Sequence, residues 1–196
     1  MTPRKILPAT VLLWVALVGP AAAHVDHAGA GGFVSGFAHP ILGWDHVAAM
    51  VAVGLWGAFL GRPAIWILPV VFPLVMALAA AAGVIGVPLP FVEAGIAASA
   101  VVLGLLIAFA VRPRLWVAAV VVGAFAVFHG HAHGTELPEA ANPFAYAVGF
   151  VLSTGLLHAA GIALGLLVAL PPGALAIRCG GGLISLAGAG FLFGVL

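Results

Sequence analysis

Two short stretches carry residues of the kind that bind metal. HPILGWDH, residues 39–46, holds His39, Asp45 and His46 at the head of a long apolar run. FHGHAHGTE, residues 128–136, adds His129, His131, His133 and Glu136, and Glu93 stands alone before another apolar run. Neutral imidazoles with carboxylates suit a divalent transition-metal ion of borderline N/O preference. Cysteine and methionine are not clustered, which argues against copper(I). The single cysteine, Cys179, also excludes an intramolecular disulfide and a cysteine-rich metal site.

Spacing limits how these groups combine. On a continuous helix His39 and His46 would share a face but lie about 10 Å apart along the axis, too far for one ion. Either the chain near Pro40 and Gly43 leaves the helix and folds back, or the two histidines serve successive stations. His129 and His133, at i and i+4, can chelate one ion directly, and Gly130 and Gly134 leave room for close backbone approach. The expected metal set is therefore His39, Asp45, His46, Glu93, His129, His133 and Glu136. A lone intramembrane histidine is more simply an interhelical hydrogen bond. The convergence of so many ligand types on one face favours metal. His158, near the middle of a later apolar run, fits a transit station and a structural contact equally, and His131 is left open. Met50, one turn from His46, reads as packing.

The elements that must position these residues are membrane helices. The 196-residue chain is 65% hydrophobic and 6% charged, with a mean hydropathy of +1.32, far from the soluble balance. Its eight histidines outnumber the five acids or the six lysines and arginines. No basic run exists to neutralise a phosphate backbone, so nucleic acid is not an expected partner. Residues 1–23 read as a cleavable signal peptide: Arg4 and Lys5, then an apolar stretch from Ile6 to Val18, then Ala21-Ala22-Ala23. An uncleaved anchor helix is the alternative. Cleavage would leave an outer-side segment, 24–38, opening with His24 and His27, either a metal-capturing end or a plain polar tail.

A span needs roughly 20 apolar residues. Six are predicted within 39–196, at about 40–60, 64–83, 91–111, 114–133, 143–169 and 174–195, separated by Gly/Pro-rich turns. The expected fold is an all-α integral membrane protein, a six-transmembrane-helix bundle after the signal peptide. Signal cleavage places the mature N-terminus outside. Arg62, Arg112, Arg114 and Arg178 then all fall at inner junctions, in agreement with the positive-inside rule. Small residues at four-residue spacing, such as Gly95 with Ser99 and Gly161 with Gly165, predict tight helix contacts. The expected partners are the bilayer and a divalent cation; a homo-oligomer is left open.

At these residues the chain resembles the HupE/UreJ family of nickel permeases. The resemblance rests on HPILGWDHVAAMVAVGLWG, residues 39–57, and FHGHAHGTELP, residues 128–138, and extends over the whole mature chain. Related nickel/cobalt transporters carry HxxxxDH, whereas here five residues separate His39 from Asp45. The resemblance implies uptake of Ni²⁺, with Co²⁺ as a second candidate, across the bacterial inner membrane from the periplasm. It further implies delivery to nickel chaperones for hydrogenase or urease maturation, and function at His39, Asp45, His46, Glu93, His133 and Glu136.

The chain is thus expected to be a transporter and not an enzyme, with no resident cofactor, and with the metal as its substrate. No nucleotide-binding motif is present to couple ATP. Two other readings compete. A haem-binding electron carrier would use His46 with His158 or His129 as axial ligands, leaving Asp45, Glu93 and the second motif without purpose. An intramembrane metal-dependent hydrolase or oxidase would hold one metal in a fixed site.

Overall fold

The computed structural model describes residues 32–137, 142–170 and 172–195. The signal peptide, His24, His27 and Glu139 lie outside these. The described chain is all helix: α1 (Gly32–Leu42), α2 (Trp44–Leu60), α3 (Ala64–Val84), α4 (Val92–Ala108), α5 (Leu115–Thr135), α6 (Pro143–Gly165) and α7 (Gly173–Leu192), with a 3₁₀ turn at Leu166–Ala169. Each predicted apolar run is helical, and the predicted punctuation separates them. Asn142 caps α6 by accepting a 3.0 Å hydrogen bond from the Ala145 amide, and Pro143 takes the first helical position, where no amide hydrogen is needed.

Four helices, α3, α5, α6 with its 3₁₀ extension, and α7, are long and apolar enough to cross a membrane. α1 and α2 pass the same test only together, and they bend by 79° at their junction. The first expected span thus corresponds to a bent helix pair that begins at Gly32, earlier than 40. α4, at 17 residues, is a shorter apolar helix.

Helix α3 packs on α5, α4 on α7, and both α1 and α2 on α6. The outward surface is Leu, Val, Phe and Trp, including Leu74, Leu78, Val120, Leu183 and Leu186, all more than half exposed. The interior instead holds His46, Ser99, His129, His133, Ser153, Thr154 and His158, all buried. Apolar outside with polar residues enclosed is the distribution that a lipid solvent selects, because an exposed polar group finds no partner in hydrocarbon. Opposite the histidines, Trp56 donates to the Val111 carbonyl at 3.2 Å and Arg178 to the Ala108 carbonyl at 2.8 Å, pinning α2 and α7 to the end of α4.

Candidate metal centre

The break between α1 and α2 creates the site. Pro40 sits inside α1, and Gly43, extended at φ −85° and ψ 106°, starts α2. A Cβ at Gly43 would lie 3.0 Å from both Asp45 Oδ1 and His46 Nδ1, so a side chain here would press on the two groups that the turn holds together. The bend brings the His39 and His46 rings to 6.0 Å between centroids, edge to face. The fold-back alternative is thus the one that the chain adopts.

Asp45 lies in the first turn of α2, where the helix dipole favours a carboxylate. Its Oδ1 accepts two hydrogen bonds from His46, one from the backbone amide and one from Nδ1, both 2.8 Å. Holding Nδ1–H on the carboxylate leaves the His46 Nε2 lone pair free; that atom is buried without a hydrogen-bond partner. The pattern is that of a carboxylate orienting a metal-ligating histidine. Asp45 thereby takes the place behind the ligand.

From α5, His133 closes on both rings, at 4.8 Å from His39 and 4.7 Å from His46 between centroids. Both of its ring nitrogens are buried and unpartnered. One ligand atom from each of His39, His46 and His133 lies within 4.8 Å of the others. Metal–nitrogen bonds of about 2.0–2.1 Å put adjacent ligands about 3 Å apart, so the three nitrogens would have to draw closer to share one ion. Phe150 and Tyr146 of α6 wall it, the Phe150 ring 4.3 Å from that of His133. A cavity of about 210 Å³ between α3, α5 and α6 reaches His133.

His129, one turn deeper, touches His46 at 5.0 Å between ring centroids but is not in the three-nitrogen group. The Ser99 hydroxyl donates to the Ile96 carbonyl, so its oxygen is left to accept from His129 Nε2 at 3.0 Å. His129 Nδ1 is then a free, buried lone pair. The expectation that His129 and His133 share one ion as an i,i+4 pair thus gives way to His133 meeting His39 and His46. Glu136 Oε2 lies 3.7 Å from His39 Nε2 at the rim, with its side chain 32% exposed. Glu93 is exposed in the first turn of α4, outside the cluster. His131 turns away and donates from Nε2 to the Val87 carbonyl at 2.6 Å, tying α5 to the loop before α4.

Sequence reasoning marked Ser99 only as a small packing residue and did not mark Phe150 or Phe72, whose fully buried ring touches both His129, at 5.4 Å, and His158, at 5.6 Å. Small hydroxyls and aromatics abound in apolar runs, so only contact distinguishes them.

The family model described as HupE / UreJ protein matches residues 11–191. "Protein HupE" of Rhizobium leguminosarum bv. viciae is 46% identical over 186 residues, covering 94% of this chain and 96% of that protein. No solved structure matches the chain. A match across nearly the full length means that this chain belongs to the HupE/UreJ family.

Proposed function

We propose that the protein is a permease for a divalent transition-metal cation, Ni²⁺ with Co²⁺ as second candidate, taken up across the bacterial inner membrane from the periplasmic side. The carrying observation is the convergence of His39, His46 and His133, from three helices, with their ligand atoms within 4.8 Å. Buried imidazole lone pairs without partners are costly unless they have a ligand to meet. Family membership supports the same reading. So does the enclosed polar interior. In this reading there are six crossings, the bent α1–α2 pair and α4, whose 17 residues stand at the short limit for a span, being added to the four long helices. With the signal peptide removed and the arginines inside, the cluster faces outward.

Glu136 and His39 at the rim attract the hydrated ion. His46, oriented by Asp45, and His133 then replace part of its water. The ligands are neutral imidazoles, so the site holds the ion without the full charge neutralisation of a carboxylate cage, and release stays accessible. Inward movement follows the membrane potential, which contributes about 4.6 kcal/mol for a divalent ion per 100 mV. Delivery to nickel chaperones for hydrogenase or urease maturation completes the proposal.

The haem alternative meets a steric obstacle. His46 and His129 touch edge to face at 5.0 Å, with no slot between them for a macrocycle, and the Phe72 ring packs against both His129 and His158. The test is radioactive nickel influx into proteoliposomes under an inside-negative potential, with cobalt, zinc and manganese as competitors. Saturable influx abolished by His46→Ala is the expected result; folded wild-type protein without influx above empty liposomes overturns the proposal.

A further inference from the structure

His158 belongs to α6 but not to the cluster. It lies eight residues beyond Phe150, which walls the outer site, and that separation is about 12 Å along a helix axis. Its ring is 2% exposed, and Nε2 is buried without a hydrogen-bond partner. On α3, Pro73 has no amide hydrogen, so the Pro69 carbonyl four residues earlier loses its helical donor. The His158 ring faces the Pro69 backbone. Its Nε2 is an unspent lone pair. One turn earlier on α6, the Thr154 hydroxyl is also fully buried and unpartnered, as is that of Ser153. Gly54 of α2 lies against the His158 carbonyl so closely that a Cβ there would overlap it, which locks the backbone at this depth.

The Phe72 ring packs T-shaped against both His129, at 5.4 Å between centroids, and His158, at 5.6 Å, and so links the outer histidines to His158. We propose that His158 is a second, inner coordination station for the same class of divalent cation, and that the Phe72 ring is the barrier between it and the outer cluster. This rests on the permease reading. An ion stripped of water at the outer site cannot reach the far side in one step through apolar packing. An unspent imidazole nitrogen with neighbouring hydroxyl oxygens offers it a borderline ligand set about halfway. Rotation of Phe72 about its side-chain bonds would open the connection one station at a time.

The test uses the full chain in proteoliposomes for Ni²⁺ influx and in nanodiscs for Co²⁺ binding by visible absorption. His158→Gln keeps a donor for the Pro69 carbonyl but removes the metal-binding nitrogen; His158→Cys does the reverse. The proposal expects His158→Gln to lower influx about tenfold or more while Co²⁺ still binds at the outer cluster, and His158→Cys to retain more influx than His158→Gln. Wild-type influx in His158→Gln, or a functional Gln variant beside an inactive Cys variant, overturns the inner station and assigns His158 to holding α3. Phe72→Ala should raise the passive leak of sodium ions through the protein; an unchanged leak refutes the barrier. If these results leave influx dependent on His46, only the inner station or barrier falls. Loss of wild-type influx altogether would sink the permease reading itself.

Discussion

Replacing Asp45 separates orientation from ligation. Asp45 Oδ1 sits 2.8 Å from His46 Nδ1 and 2.8 Å from the His46 amide, so one carboxylate oxygen holds both the ring and the start of α2. A hydrogen bond to a charged group contributes about 1.5–3 kcal/mol. At about 1.4 kcal/mol per decade, loss of the Nδ1 contact alone corresponds to roughly ten- to hundredfold in affinity. That agrees with the ten- to hundredfold typical of groups that orient a metal-binding histidine. Asp45→Asn keeps an acceptor oxygen without the charge and should fall at the mild end; Asp45→Ala should fall at the severe end. His46→Ala, which deletes the ligand itself, should be worse than either. The assay is calorimetric titration of Ni²⁺ into purified protein in nanodiscs, with circular dichroism confirming the helices. Wild-type affinity in Asp45→Ala refutes an orienting role. A loss in Asp45→Ala equal to that in His46→Ala, with Asp45→Asn no better, would make Asp45 a direct ligand and refute the geometry argued above.

Gly43→Ala places a Cβ 3.0 Å from Asp45 Oδ1 and His46 Nδ1, and should weaken Ni²⁺ binding in the same titration while leaving thermal stability nearly unchanged; unaltered affinity would mean that the turn relaxes freely. Gly130→Ala pushes a Cβ onto the Met76 carbonyl where α5 crosses α3, so overpacking of about 1–3 kcal/mol should lower the melting temperature in detergent. An unchanged melting temperature would refute that contact. His131→Phe removes the donor to the Val87 carbonyl and should reduce stability by about 1–3 kcal/mol with Ni²⁺ affinity preserved. A drop in affinity at wild-type stability would return His131 to the metal set.

The legible part of the fold was whatever depends on solvent alone. Apolar runs interrupted by Gly and Pro become helices in lipid because the backbone has no other way to satisfy its polar groups there. Hence each of 64–83, 91–111, 114–133 and 174–195 overlaps a helix of the structure. The residue types that gather in the interior were legible too, since imidazoles and carboxylates rarely gather in an apolar chain without a polar task. Glu93 shows the limit of that reasoning. Its position at the head of α4 is clear from sequence, but sharing an end of the bundle with the histidines does not bring it into contact with them.

What the sequence determined by itself was therefore the helical membrane class, the breakpoints, and the residue types available to a cation. Tertiary structure alone decided which of them meet. Spacing allowed His39 and His46 to be either one site or two, and the 79° bend at Gly43 made them one. Spacing paired His133 with His129, yet the crossing of α5 with the α1–α2 break paired it with His39 and His46. Asp45 was a candidate ligand by type, and a 2.8 Å contact sets its carboxylate against the His46 ring. His158 faces the Pro69 backbone of another helix, whose helical donor a proline removes. The physical reason is common to all four: residue type and local spacing fix what a side chain can do, whereas coordination is a three-dimensional coincidence of lone pairs that only helix packing supplies.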